Sequence, residues 1–167
     1  MTTTDTETRT IKVFRVFIKA SPERVWEAIT SPEWNQRYGY HAPSEFELRA
    51  GGSFRALPNE GMQAMGAPDV VVEGEVLEAD PPHKLVQTWR MLFSPELGTE
   101  PFTTLTYDVH AETESMTRLT VTHDVTGAPM HEGAISGDSP LQEGGGGWAW
   151  VLSDLKTLLE TGESLPL

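Results

Sequence analysis

Two side chains in the sequence are suited to acid–base or ligand-binding chemistry, His123 and Tyr107. His123 alternates with Leu119 and Val121, so a strand over this stretch places its imidazole on the apolar, inward face. Imidazole titrates near neutral pH and can act as a general acid or base, or bond a ligand. The alternative is a structural histidine bonded to a helix end or a loop carbonyl. Tyr107 is placed inward by the same alternation, and a buried hydroxyl needs a partner.

Other catalytic motifs and metal-binding patterns are missing from the sequence. The chain has no cysteine, which excludes disulfides, thiolate nucleophiles and cysteine metal sites. No two of the five histidines have the helical i, i+4 spacing that a metal site on a helix uses. The glycines at 144–147 are followed by no Lys-Ser/Thr pair, so they do not form a phosphate loop. We therefore expect no metal and no cofactor.

Several aromatic and polar residues could line a pocket with apolar walls and a few polar anchors. Plain core packing is the alternative for each of them. Trp34, Tyr38 and His41 lie close together in the chain, near the predicted second short helix. Methionines adapt to irregular apolar shapes and could complete the lining. The candidate ligand-binding residues are Trp34, Tyr38, His41, Phe54, Met65, Gln87, Trp89, Tyr107, His123, Trp148 and Leu152.

A long helix is predicted near the C terminus, beginning at Trp148. Its apolar residues recur at the spacing of one helical stripe, about four turns long. Gly162 ends the helix, because glycine adopts left-handed backbone angles freely. The stripe comprises Trp148, Val151, Leu152, Leu155, Leu158 and Leu159, and the opposite side carries Trp150, Ser153, Asp154, Lys156, Thr157 and Glu160.

Strands with a period of two precede this helix. The first is Ile11–Ile18, and two short helices follow, started by Ser21-Pro22 and Ser31-Pro32, with Trp34 and Tyr38 on the second. A hairpin at Gly51-Gly52 comes next, and further strands are predicted at 70–79, 84–93, 102–110 and 117–125. Residues 127–147 are glycine-rich and without periodicity, which indicates a long loop that could act as a lid. This order predicts an α+β fold.

Five segments of the chain match a known family in the right order: 20–34, Gly51-Gly52-Ser53-Phe54, 74–89, 117–123 and Gly147-Trp148 with Leu152 and Leu155. Through these segments, residues 11–160 resemble the SRPBCC superfamily, which has the helix-grip (START-like) fold. The branch most similar is the C-terminal domain of the heat-shock-protein-90 ATPase activator. The resemblance implies a curved antiparallel sheet of about six to seven strands around the long C-terminal helix. It also implies one domain at 9–162, with a cavity rim at Trp34, Tyr38 and His41. The Thr, Asp and Glu residues at the N terminus predict a disordered tail at 1–8, and a short tail follows the domain at 163–167.

The resemblance implies three possible functions, because one fold can carry many. The expected function is binding of a small hydrophobic or aromatic molecule in a cavity between the sheet and the C-terminal helix. The first alternative is an enzyme similar to polyketide cyclases and aromatases, with His123 or Tyr107 as its acid or base. The second is a protein-interaction domain like that of the co-chaperone.

The charge of the chain bears on its partners. A net charge of −13 disfavours nucleic acids and anionic membrane surfaces, since phosphate contacts need Lys and Arg. The N terminus lacks the pattern of a signal peptide, and no apolar run approaches the ~20 residues of a membrane span. We therefore expect a cytoplasmic monomer or homodimer.

Overall fold

The computed structural model describes residues 8–166, so residues 1–7 of the tail expected at 1–8 lie outside the described part. Its seven strands form one antiparallel sheet in the order β1-β7-β6-β5-β4-β3-β2. The strands are β1 Ile11–Ile18, β2 Ser44–Phe46, β3 Ser53–Ala56, β4 Val72–Asp80, β5 Lys84–Met91, β6 Thr103–Thr113 and β7 Met116–Asp124. The helices are α1 Pro22–Thr30, α2 Pro32–Asn35, α3 Glu60–Ala64, α4 Pro95–Thr99, α5 Pro129–Ser136 and α6 Gly147–Thr161.

The strand register places the inward side chains in rows across the sheet. Tyr107 lies opposite Leu85 on one side and Val121 on the other. Leu105 is paired in the same way with Gln87 and His123. The alternation read from the sequence therefore has the correct phase on β5, β6 and β7, and the α+β fold is confirmed.

Helix α6 follows the prediction closely at its ends and in its stripe. Trp148 and four leucines of the stripe are buried, and Gly162 takes left-handed angles as the C-cap. The prediction for the polar side of the helix was partly wrong, because Asp154 on that side is fully buried. Backbone groups outside the helix explain this, as described below.

The two short helices start where the capping residues predict. The Ser21 hydroxyl accepts from the backbone N–H of Arg24 at 3.3 Å, and a proline follows in the first turn. The second helix is shorter than predicted: α2 ends at Asn35, so Tyr38 lies in the turn that follows. Gly39 has φ +67° there, and this left-handed conformation prevents the helix from continuing.

The prediction of an unstructured loop at 127–147 was wrong. Helix α5 and a 3-10 turn, Leu141–Glu143, occupy much of it. Ala128 offers α5 no side-chain cap, but the Glu100 carboxylate accepts from the N–H groups of Met130 and His131 at 3.0 Å each. Pro129 at the start of α5 and the left-handed Gly137 at its end are local signals for this helix, but its N-terminal cap comes from 30 residues away and could not be read from the sequence. Within residues 8–166, no helix combines the length and apolar character needed to cross a bilayer.

Candidate ligand-binding face

His123 is fully buried and uses both of its ring nitrogens. Trp148 Nε1–H donates to His123 Nδ1 at 3.1 Å, so Nδ1 accepts and the ring proton is on Nε2. Nε2–H then donates to the Thr103 hydroxyl at 2.7 Å, and that hydroxyl donates to the Trp89 carbonyl at 2.6 Å. These three hydrogen bonds connect α6 to β7, β6 and β5.

The charge state of His123 follows from this environment. Burial lowers its pKa to about 3, with a further contribution from His131 that outweighs the opposite effect of Asp124. The imidazole is therefore neutral across the physiological range, and its accepting nitrogen already holds the Trp148 N–H. In this arrangement His123 is a structural link with no free nitrogen to take a proton from a substrate.

The lowered pKa predicts how stability depends on pH. The unfolded chain binds a proton near pH 6.5, whereas the folded protein resists it down to about 3. Stability from this site is thus complete above pH 6.5 and is lost as the pH falls. Between pH 7 and pH 5 the loss should be about 2 kcal/mol. Urea unfolding at pH 7 and pH 5 should show a smaller decrease in the free energy of unfolding for His123→Gln than for the parent. Equal decreases would contradict a neutral, buried His123.

A second histidine, His131, is also fully buried. Its Nε2 accepts from the backbone N–H of Met91 at 2.8 Å, and Nδ1–H donates to Glu100 at 2.7 Å. Burial tends to raise the pKa of Glu100, but the bonds from His131 and Met130 outweigh it and lower the pKa. The histidine joins α5 to β5, and its partners lie 40 and 31 residues away.

Aromatic side chains surround this polar core. The Trp89 ring stands edge-on to both histidine rings, with centroids 5.0 Å from His123 and 5.9 Å from His131. Tyr107 contacts Trp148 in the same edge-on manner at 5.9 Å. Trp89 and Tyr107 remain partly exposed and pack against the main core, as do Trp34 and Phe46.

Two polar groups on this inner face lack protein partners. Gln87 is fully buried, and its Oε1 accepts no hydrogen bond from any described residue. Its Nε2 makes only a long 3.5 Å contact with the Thr88 carbonyl. Burial raises the pKa of Tyr107, and no hydrogen bond opposes that shift. Because Gln87 is paired with Leu105, it lies diagonal to Tyr107 on one face, roughly 7–8 Å away.

The remaining candidate residues are placed differently. Tyr38 is buried and donates from its hydroxyl to the Ala28 carbonyl at 2.8 Å. Phe54 belongs to a smaller cluster and stacks on Phe46 at 4.8 Å, while Leu152 lies in the main core. His41 is exposed, and Met65 is 90% exposed beside α3, so neither joins the inner face. The structure brings together Gln87, Trp89, Tyr107, His123 and Trp148.

Asp154 is a further buried polar group that sequence reasoning missed. Its Oδ2 accepts from the Gly39 N–H at 2.9 Å, and Oδ1 accepts from the Leu165 N–H at 2.6 Å. Trp150 Nε1 donates to the Gly39 carbonyl at 3.0 Å. The turn after α2 and the chain end are therefore both tied to α6, which holds the helix over the sheet.

Among the depressions on the surface of the described residues, two bear on the candidate sites. One, of about 250 Å³, lies between β1 and α6 and is lined by Phe14, Val16 and Leu152 among others. The other is a broad polar groove on the outer sheet face, near Lys84 and Arg118. Neither of these two depressions is lined by Gln87 or Tyr107. Among residues 8–166, no three His, Asp or Glu side chains converge to hold a metal ion.

The seven-stranded antiparallel sheet, the long C-terminal helix and the two short helices after β1 define a helix-grip protein. Residues 19–160 match the family model described as activator of Hsp90 ATPase homolog 1-like protein, and the chain belongs to this family. A comparison with curated proteins finds no match.

Solved structures share the fold at low sequence identity. CalU16 from Micromonospora echinospora is 21% identical, with a TM-score of 0.61 over 97% of this chain and 88% of that one. An HSP90 activator from Plasmodium falciparum is 22% identical, with a TM-score of 0.55 over 92% and 89%. The Aha1 dimer from Colwellia psychrerythraea is 18% identical, with a TM-score of 0.61 over 93% and 99%.

Proposed function

We propose that the protein binds a small aromatic or apolar molecule carrying a hydrogen-bond donor, on the inner sheet face at β5 and β6. One observation carries this: the buried Gln87 amide oxygen has no partner. Leaving such a group unpaired costs about 1–3 kcal/mol, so a native protein that keeps one calls for an explanation. A donor on a ligand would remove the penalty, and the Tyr107 hydroxyl could bond the same molecule.

The surrounding aromatic residues favour an apolar ligand. Trp34, Phe46, Trp89 and Tyr107 are partly exposed, and a bound ring would cover their surfaces. A ligand that buries about 200–300 Å² of apolar surface gains ~5–7 kcal/mol before the costs of association. Generic probes should therefore bind with micromolar or weaker affinity, and anionic ones poorly because the chain carries a net charge of −13.

The enzymatic alternative depends on Tyr107 alone. His123 has both nitrogens bonded and a pKa near 3, so it is a poor general base. Burial raises the pKa of Tyr107, so its hydroxyl stays protonated and can donate a hydrogen bond to a substrate. We infer that any catalysis here would polarise a substrate carbonyl rather than abstract a proton.

The interaction-domain alternative comes from the relatives. One similar structure is an HSP90 activator and another is a dimer, so a co-chaperone-like role and a monomeric or homodimeric state stay open for this chain. A cytoplasmic location also stays an expectation.

The variant Gln87→Leu tests the binding proposal in two opposite directions. Without ligand, it should raise the free energy of unfolding by about 1–3 kcal/mol, because it removes an unpaired buried amide. With ligand bound, the parent should become more stable than Gln87→Leu. Gln63→Leu on the exposed face of α3 is the matched control. It should change neither the free energy of unfolding without ligand nor the stabilisation by ligand.

The probes are 2-naphthol and 2-methoxynaphthalene, which share a ring system but differ in the hydroxyl donor. In a thermal-shift assay 2-naphthol should stabilise the parent more than the ether does, since bound ligand favours the native state by mass action. In Gln87→Leu the difference should vanish. If neither compound shifts the parent while Gln87→Leu is less stable than the parent, the oxygen bonds an internal water and the proposal fails.

A further inference from the structure

We propose that the exposed edge of β1 binds an extended acidic peptide from another protein, which adds to the sheet as an eighth strand. The surface comprises the β1 edge and the 250 Å³ cleft between β1 and α6, and is called the β1 edge site. It is separate from the inner face around Gln87.

Half of the backbone groups of β1 have no partner strand among residues 8–166. The Thr10 carbonyl accepts from the Val125 N–H, so the even-numbered residues face β7. The Phe17 carbonyl faces the other way, where Lys156 Nζ donates to it at 2.7 Å. By this alternation the N–H and C=O groups of Ile11, Val13 and Arg15 point away from the sheet. Such a row is a template for an added strand.

The cleft supplies a pocket for a side chain of that strand. It lies directly inside the β1 edge, between inward-facing Phe14 and Val16 and the α6 residues Ala149, Leu152 and Ser153. In strand addition, backbone bonds give affinity while a pocket for alternate side chains gives specificity. An apolar side chain of the added strand would fit here.

The local charge identifies the partner as acidic. Residues 9–24 hold five of the twelve Lys and Arg residues and a single acid, Glu23, although the whole chain has a net charge of −13. Two of the five are already paired, Arg9 with Asp124 and Lys12 with Glu132, which leaves three without an ion pair among residues 8–166. Arg15 is exposed at the centre of the edge, bonds Thr120 through Nε at 3.1 Å, and forms no ion pair within residues 8–166. A second copy is disfavoured, because two basic edges would meet.

The outer side chains of β1 also fit an added strand. Ile11, Val13 and Phe17 are 46%, 53% and 47% exposed, and no strand within residues 8–166 pairs with this edge of the sheet. The other sheet edge, β2, has only three residues and offers a much shorter template.

The probe is a fluorescein-labelled, nine-residue peptide of alternating leucine and glutamate, and binding is followed by fluorescence polarisation. Two controls carry N-methyl groups, one on all leucine amides and one on all glutamate amides. In an added strand, either the leucine amides or the glutamate amides face β1. The control methylated on the facing amides should therefore lose binding, and the other control should keep it. The free amides of Val13 and Arg15 should become protected from hydrogen exchange when the parent peptide binds, whereas Phe14 should be protected throughout.

Two variants test the protein side. Arg15→Glu should weaken binding at least about fivefold, the loss of one modest ion pair, and Arg55→Glu on β3 is the matched control that should not. Val13→Pro removes one edge N–H and should also weaken binding about fivefold. Because Arg15→Glu leaves the backbone intact, the test stands even if the proline variant unfolds.

Three results would overturn the proposal: binding that tolerates both methylated peptides, Arg15→Glu affinity equal to that of the parent, or no new protection at Val13 and Arg15. A dimer in sedimentation equilibrium with these two amides protected in the absence of peptide would also overturn it, since the occupant would then be a second copy.

Discussion

Replacing Trp148 with alanine should lower the free energy of unfolding by about 3–5 kcal/mol. The indole is 8% exposed, packs edge-on against Tyr107 and donates its N–H to His123. Truncation would leave a cavity between α6 and the sheet, and would also leave His123 Nδ1 without a partner. Such a loss is a large part of the ~5–15 kcal/mol that stabilises a typical domain.

The variant Trp148→Phe separates the contribution of ring packing from that of the hydrogen bond to His123. It keeps most of the ring and removes the N–H donor, so it should cost about 1–3 kcal/mol. Urea unfolding followed by circular dichroism measures both variants. A loss under about 1 kcal/mol for the alanine variant would show that Trp148 does not hold α6 to the sheet.

The substitution Gly147→Ala should destabilise the protein by about 2–5 kcal/mol, the combined cost of a left-handed alanine and of overpacking. Gly147 has φ +60°, and an added Cβ would lie 2.3 Å from the Ile135 carbonyl oxygen and 2.6 Å from the Gly137 nitrogen. The first residue of α6 thus lies against the end of α5, and only glycine fits between them.

Gly133→Ala is the matched control for this prediction. Gly133 lies inside α5, and an added Cβ would meet nothing within 4 Å. Alanine there should stabilise the protein by up to about 1 kcal/mol through its higher helix propensity. The melting temperature should therefore fall below that of the parent in Gly147→Ala and rise above it in Gly133→Ala. A destabilisation by Gly147→Ala of less than about 1 kcal/mol would contradict the close packing of α5 on α6.

Local patterns in the sequence were sufficient for most of the fold. Alternation on β6 and β7 depends only on neighbouring residues, and so does the stripe of α6, which ends at Gly162 as expected. The elements that sequence reasoning missed are those whose stability comes from distant partners. Helix α5 is capped by Glu100, and Asp154 on α6 is buried because Gly39 and Leu165 donate to it.

In the candidate site, too, the sequence predicted what depends on neighbouring residues and missed what depends on distant ones. The sequence placed Gln87, Tyr107 and His123 on inward faces, because strand alternation is local. It could not show that the hydrogen bonds of His123 are used up, since Thr103 and Trp148 lie 20 and 25 residues away. Nor could it show that Gln87 Oε1 lacks a partner, because that depends on every neighbour in the packed sheet.

Native mass spectrometry of the protein purified from its own cells is the most direct test of the proposed binding face. The parent should carry a noncovalently bound small molecule that organic solvent releases, and Gln87→Leu prepared in parallel should carry much less of it. Gln63→Leu should match the parent. A parent that has only the mass of the bare chain, or a Gln87→Leu variant that retains the same bound mass, would contradict binding through the Gln87 oxygen.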